Sequence, residues 1–116
     1  VMEKLPGFPI VLHGSSAVPK QYTDMIKEFG GEVKDAIGIP NAELRKASKS
    51  AVAKINVDTD GRLAFTAAIR RVLGTNPKEF DPRKYLGAAK DEMKAYYKTK
   101  IVDVFGSEGA YKKGTK

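Results

Sequence analysis

Two short apolar runs constrain this chain more than any other feature of it. The first, Pro9-Ile10-Val11-Leu12, runs unbroken into His13-Gly14-Ser15-Ser16. The second, Ala51-Val52-Ala53-Lys54-Ile55-Asn56-Val57, runs into Asp58-Thr59-Asp60-Gly61-Arg62. A continuous apolar run without polar alternation reads as a strand buried on both faces, as in a parallel sheet. About forty residues separate the two runs, room enough for the crossover that parallel strands require. The pattern of strand, polar loop and helix therefore occurs twice. In parallel α/β proteins ligands bind at the C-terminal ends of strands, so both loops are candidate sites of chemistry.

The intervening segments read as helices. Tyr22, Met25, Ile26 and Phe29 recur at i, i+3, i+4 and i+7, and Gly30-Gly31 follows as a stop. Residues 32–39 are ambiguous, with Gly38-Ile39-Pro40 as a turn. A second helix is expected from Pro40-Asn41 through Leu44 and Ala47 to about Ser50. After the second strand, Asp58, Thr59 and Asp60 offer capping oxygens to a helix starting near Gly61. Its apolar face holds Ala64, Phe65, Ala68, Ile69, Val72 and Leu73, with Arg62, Thr66, Arg70 and Arg71 off it, and Gly74 and Pro77 end it. Asp81-Pro82 is an N-cap and first-turn pair. It opens a long helix with Leu86, Ala89, Met93, Tyr97, Ile101 and Val104 on one stripe, ending near Gly106. Residues 107–116 read as a flexible tail. The expected order is β-α-α-β-α-α. Two parallel strands cannot hide their own faces and edges, so the chain either dimerises through them or is a piece of a larger α/β protein. The opening Val1-Met2-Glu3-Lys4-Leu5-Pro6 reads as the middle of a chain and favours the second.

Composition narrows the chemistry. With 116 residues the chain suffices for one small domain. The net charge of +7 permits phosphorylated ligands or nucleic acid without selecting between them, and solvated lysines account for much of it. The chain has no cysteine, which excludes disulfides and Cys-ligated metals and agrees with a reducing, cytoplasmic location. No apolar run approaches the ~20 residues of a membrane-spanning helix.

His13 is the metal-capable residue. A lone histidine is often structural, but a strand end followed by glycine raises its standing. A catalytic zinc needs three protein ligands, and this chain offers one histidine, so unless its carboxylates serve, the rest must come from elsewhere. Gly14, Ser15, Ser16, Asp58 and Thr59 could form a phosphate cradle from backbone N–H groups and hydroxyls, or simply cap helices. Asn56 is an amide inside an apolar strand and must find partners there, in a neighbouring strand end or in substrate. Arg83 opposes the dipole at its helix start, which suggests an anionic partner, although a surface arginine is the commoner case.

At these residues the sequence resembles the C-terminal part of class II, metal-dependent fructose-bisphosphate aldolases. The matching motifs are His13-Gly14-Ser15-Ser16-Ala17-Val18-Pro19, Gly38-Ile39-Pro40, Lys54-Ile55-Asn56-Val57-Asp58-Thr59-Asp60 and Asp81-Pro82-Arg83-Lys84-Tyr85-Leu86, in the family's order. The resemblance implies an α/β fold, a TIM (β/α)8 barrel of which residues 1–116 hold strands seven and eight with their flanking helices. It implies that His13 ligates Zn2+ or another divalent metal. Two further histidines and the catalytic aspartate and glutamate would lie in an N-terminal barrel portion outside this chain. Gly14 and Ser16 would serve the ketose-side phosphate and a monovalent cation, Na+ or K+. Asn56 would contact substrate as a catalytic residue, and Asp58 and Thr59 would hold phosphate. Arg62 could serve the distal phosphate. Arg83 would reach into a partner subunit's site, making the enzyme a homodimer or higher homo-oligomer. The implied reaction is reversible cleavage of fructose 1,6-bisphosphate to dihydroxyacetone phosphate and glyceraldehyde 3-phosphate. The chain alone would be inactive.

Tagatose-bisphosphate aldolases of the same family use nearly the same residues, so substrate stereochemistry stays open. Two other classes compete. A small basic phosphate- or nucleic-acid-binding module would need aromatics interleaved with cations, and Tyr96 and Tyr97 among lysines are the one hint of it. A self-standing structural domain would dimerise through its strands. The favoured reading takes a sugar phosphate as partner, with neither nucleic acid nor membrane.

Overall fold

The computed structural model describes residues 2–34 and 37–114, so part of the ambiguous stretch 32–39 and the tip of the tail lie outside the described residues. Strands β1 (Ile10–Leu12) and β2 (Val52–Ile55) pair in parallel, with Val11 opposite Lys54 and Leu12 opposite Ile55. Between them lie α1 (Lys20–Glu28) and α2 (Asn41–Ser48), and after them α3 (Thr59–Thr75) and α4 (Pro82–Lys100). The expected order of elements is thus observed. A π-helical turn, Ile101–Phe105, continues α4 to Gly106, whose φ of 59° closes it in the left-handed conformation. In the tail, a 3₁₀ turn forms over Ala110–Lys112.

The strands are not covered on both faces. Val11 is 49% exposed and its neighbours half-buried. The molecule is a slab of 57 × 40 × 17 Å. Its radius of gyration is 17.2 Å, against about 13 Å for a compact domain of this length. The shortest dimension leaves room for little more than a strand layer and a helix layer. The buried-strand expectation is therefore corrected: nothing among the described residues covers the outer face of β1.

The core lies instead among α1, α3 and α4. Tyr22 and Ile26 of α1, Ala64 and Ala67 of α3 and Tyr96 of α4 form its centre. Small residues on α3 let the flanking helices approach, and tyrosine rings fill the gap. The rings of Tyr22 and Tyr96 meet edge to face at 5.5 Å, a geometry worth about 0.5–1.5 kcal/mol beyond burial. Gly61 matters for the same reason, since a Cβ there would sit 2.1 Å from the Tyr97 hydroxyl. Contacts of Gly61 with Tyr97 and of Arg71 with Glu92 show α3 and α4 running antiparallel.

Both apolar stripes are rotated from their expected positions. On α3 the fully buried face is Asp60, Gly61, Ala64, Ala67 and Ala68, while Leu73 is exposed. On α4 and its π-turn the buried residues are Ala89, Tyr96, Lys100 and Val104, while Leu86 and Ile101 are exposed. Each stripe turns toward a polar group, Asp60 on one helix and Lys100 on the other, because those two groups bind each other. Leu44 of α2 and Val104 of the π-turn are both buried, and the Val104 carbonyl accepts from Ser48 Oγ (2.9 Å) and Arg45 Nη1 (3.3 Å), tying α2 to the π-turn.

Tyr22 makes this packing sensitive to alkali. Its hydroxyl donates to Glu92 Oε1 (3.0 Å), and Arg71 Nη2 donates to Glu92 Oε2 (3.1 Å). Burial first, then the Glu92 hydrogen bond, pushes the Tyr22 pKa up to about 12 from 10.0. The folded state holds this phenol proton more tightly than the unfolded chain does. The contribution is complete below pH 10 and lost as pH rises through about 12. The denaturation midpoint is expected to fall over that window, and Tyr22→Phe should flatten the fall by on the order of 3 kcal/mol. An alkaline limb unchanged by Tyr22→Phe would reject the assignment.

Candidate functional site

The ends of β1 and β2 bring the candidate residues of the two loops together. Leu12 O accepts the Asn56 N–H at 3.3 Å, so the sheet pairing continues one residue past β2. This places His13 beside Asn56, and Asn56 Nδ2 stands 2.9 Å from His13 Nδ1. The amide inside the apolar run thus finds its partner across the strand pair. Which ring nitrogen carries the proton follows from the amide orientation. With Nδ2 facing the ring, Nδ1 accepts and the proton sits on Nε2. With the amide turned, Oδ1 accepts Nδ1–H and Nε2 keeps a lone pair for a metal. A partner that fixes the ring and its tautomer is the usual companion of a metal-ligating histidine.

The loop 14–19 is held at every step. Gly14 takes a φ of 62°, a left-handed conformation that glycine adopts without penalty. Buried Ser15 donates its hydroxyl to Asn56 O (2.9 Å) and Leu12 O (3.3 Å). It is therefore a strand-joining group rather than a phosphate ligand. Ser16 O accepts the Ile39 N–H at 3.0 Å, and Ser16 is half-buried. Ala17 N–H lies 3.1 and 3.2 Å from the two carboxylate oxygens of Asp60. Val18 has a φ of 44°, a strained value for a β-branched residue that persists only where its surroundings hold it. Gly38 explains the Gly38-Ile39-Pro40 motif, because a Cβ there would sit 2.1 Å from the Ala17 carbonyl.

The second loop departs from simple capping. The helix begins at Thr59, two residues before Gly61, and the Asp58 side chain makes no cap hydrogen bond. Asp58 Oδ1 instead accepts from Arg62 Nε at 2.9 Å, and both side chains are largely exposed. Asp58 and Arg62 flank a cleft of about 340 Å³ between the first turns of α3 and the face of α4. Thr59 is exposed in the first turn of α3, where N–H groups and the helix dipole favour an anion.

Asp60 is neither a cap nor an exposed ligand. Its carboxylate is fully buried and accepts from Ala17 N–H, from the Tyr96 hydroxyl (2.7 Å) and from Lys100 Nζ (3.0 Å). Lys100 is itself buried and donates to Asn41 Oδ1 at 2.8 Å. Burial first, and then the Asp60 hydrogen bond, drives the Tyr96 pKa well above the usual phenol range. The spacing of Lys100 carried the signal: it falls on one helical stripe with Ala89, Met93, Tyr96 and Val104, where a cation requires a buried counter-charge. Tyr96, buried against Asp60, is not available as a base-stacking ring.

Arg83 stands apart from these groups. Its guanidinium is 90% exposed and paired with its own N-cap, Asp81, at 2.7 and 3.0 Å. The anionic partner that its dipole misfit suggested is Asp81, whose carboxyl the Arg83 hydrogen bonds hold below its ordinary pKa. Seventeen residues of α4 separate Arg83 from Lys100, about 26 Å along the axis. Arg83 therefore lies toward the opposite end of α4 from Asp60. Among the described residues, no three His, Asp or Glu side chains converge as a metal cluster. The metal-capable group at the strand ends is the single imidazole of His13. Among the described residues, no helix is long and apolar enough to cross a membrane.

Comparison with known proteins sets this geometry in context. Residues 1–110 match the family described as fructose-bisphosphate aldolase class-II. The chain is 58% identical over 109 residues to a fructose-bisphosphate aldolase of Treponema pallidum, covering 94% of this chain and 33% of that protein. It is 51% identical over 106 residues to one of Thermus caldophilus, covering 91% of this chain and 34% of that protein. For one of Giardia intestinalis the identity is 48% over 105 residues, covering 90% and 32%. The chain thus spans about a third of the length of these curated relatives. Gly38→Ala is expected to destabilise the protein by about 1–3 kcal/mol through the backbone clash at Ala17. A chemical-denaturation midpoint that does not move would show that the loop can yield there.

Proposed function

Because this chain belongs to the class II fructose-bisphosphate aldolase family, we propose that it supplies one sector of the active site of a metal-dependent aldolase. That family implies a (β/α)8 barrel, and we assign strands seven and eight with their helices to this chain. The exposed outer face of β1 and the slab shape are what two neighbouring units of a barrel wall present before the remaining strands close on them. An N-terminal barrel portion would complete both the core and the site. The observation that carries the reading is the juxtaposition of His13 and Asn56 at adjacent strand ends, with a glycine- and serine-containing loop on one side and a helix start on the other.

In this reading His13 gives one ligand to Zn2+ or another divalent ion, and the other ligands come from the N-terminal portion. The residues fit that share and no more: one imidazole, fixed by one amide. When bound, such an ion supplies Lewis-acid polarisation of the ketose carbonyl. Asn56 orients the His13 ring and faces the reacting end of the substrate. Gly14 and Ser16 present backbone and hydroxyl to the ketose-side phosphate, with a Na+ or K+ ion beside it. Asp58 and Thr59 close that phosphate site from the second loop. Arg62, now turned to Asp58, serves the distal phosphate by exchanging one anion for another. The substrate is fructose 1,6-bisphosphate, and tagatose bisphosphate is the stereochemical alternative for the same groups.

Arg83 has the opposite character. It is exposed, toward the opposite end of α4 from Asp60 and held ready by Asp81, as befits a residue that completes a neighbouring subunit's site in a homodimer or larger assembly. Tested in the complete enzyme, Asn56→Ala should lower kcat/KM by about 10–100-fold through the loosened metal ligand. His13→Ala should abolish bound metal by elemental analysis together with aldol cleavage. Full metal content and activity in His13→Ala would overturn the assignment. Arg83→Ala should raise KM by about 10–100-fold, the value of a charge-assisted phosphate contact. Mixing it with a His13→Ala subunit should restore part of the activity if the arginine works across the interface. Failure of complementation in verified mixed dimers would rule out action of Arg83 in the partner subunit's site.

A further inference from the structure

Lys100 lies where the supports of the loop 14–19 converge. Among the described residues, hydrogen bonds tie Ala17 and Ser16 to two segments outside the strand pair. Ala17 N–H is held by Asp60, and Ser16 O is held by Ile39 N–H from the segment 38–40. Lys100 Nζ reaches the base of both. It lies 3.0 Å from Asp60 Oδ2 and 2.8 Å from Oδ1 of Asn41, the residue that follows Pro40. It also sits 5.6 Å from the centre of the Tyr96 ring, whose hydroxyl binds the same Asp60 oxygen. The ammonium is 1% exposed and the carboxylate 0%, so neither charge finds relief in solvent. The loop between these supports carries the strained φ at Val18, so its shape is imposed from outside.

We propose that Lys100 is a positioning residue for the phosphate-site loop: its buried ammonium fixes Asp60 and Asn41, and through them sets the place of Ser16 and Ala17. The proposal rests on the aldolase reading for the loop's role, though not for its geometry. Lys100 touches no reacting atom. It acts by holding the Asp60 carboxylate aimed at Ala17 N–H, so that Gly14 and Ser16 are held in place before substrate arrives.

The test uses the complete enzyme with divalent metal and two double variants. In D60N/K100M both charges are removed together, while an amide oxygen remains to accept from Ala17 N–H. In D60A/K100M the acceptor is lost as well. D60N/K100M, which lacks the ammonium that fixes this acceptor and Asn41, should speed hydrogen exchange at the Ala17 amide relative to the parent and raise KM, by a smaller factor than D60A/K100M. D60A/K100M should exchange quickly there and lose about 10²-fold in kcat/KM, mainly through KM, as a misplaced binding loop does. A folded D60A/K100M with parent KM, or one in which only the active fraction falls, would overturn the proposal. So would a D60N/K100M with parent exchange at the Ala17 amide and parent KM. If D60A/K100M does not fold, the parent decides: an Ala17 amide exchanging as freely as its exposed neighbour Gly14 would also overturn it. A parent enzyme without aldol cleavage would refute the functional reading, and the exchange comparison would still decide the positioning.

Discussion

A carboxylate sealed from water must be answered by donors on all sides, and in this chain the requirement falls on Asp60. Its two oxygens draw an N–H from the first loop and, from the last turns of α4, the Tyr96 phenol and the Lys100 ammonium. Asp60 is also in the first turn of α3, where the helix dipole favours a negative charge. A buried ion pair of this kind is poor evidence of added stability, since apolar replacements of similar volume often do as well. Its value lies in geometry. An apolar cluster tolerates small slides, whereas the Asp60 cluster is satisfied only when α3, α4 and the loop 14–19 stand in one register. The rotated stripes on α3 and α4 follow from this demand.

The same constraint explains what could be read from the sequence. Every strand and helix was legible, because each rests on local signals: β-branched runs, Gly30-Gly31, Asp81-Pro82. The juxtaposition of His13 and Asn56 was half legible. Each residue stood out at its strand end, but only the register of a pair 43 residues apart brings them to hydrogen-bond distance. The faces of α3 and α4 were misread for one reason. Apolar periodicity assigns faces by hydrophobicity, so it admitted Leu73, Leu86 and Ile101 to the core and rejected Asp60 and Lys100. In the structure the polar pair occupies the inside and those apolar side chains are exposed. Polar residues were read as caps or solvated charges, which is right for Arg62 and wrong for Asp60.

Arg62 and Arg83 show a second use of charge. Both are exposed, and both are occupied by a nearby aspartate, Asp58 and Asp81 respectively. Such surface pairs contribute little to stability. They do hold a long, entropically costly side chain in one region of space at small expense. In the proposed reading, a phosphate arriving at either guanidinium would replace a carboxylate rather than immobilise a free chain, which would lower the ordering cost of binding. The buried Lys100 and the exposed arginines therefore divide the work of the basic charge: one fixes the scaffold and the others remain exchangeable.

The placement of these parts bears on how a barrel sector can carry function. The groups outside the strand pair that fix Ser16 and Ala17 come from residues 39–100, and the partners of His13 and Ser15 lie at the two strand ends. Local geometry is thus settled between neighbouring strand–helix units, without reference to the rest of a barrel. Chemistry is not settled there, because one imidazole is a single ligand where a catalytic metal asks for three. A sector can be pre-shaped and still be inert, since positioning needs only adjacent units and a metal centre needs groups converging from several. The exposed outer face of β1 and the pre-shaped loop beside it are two sides of that division.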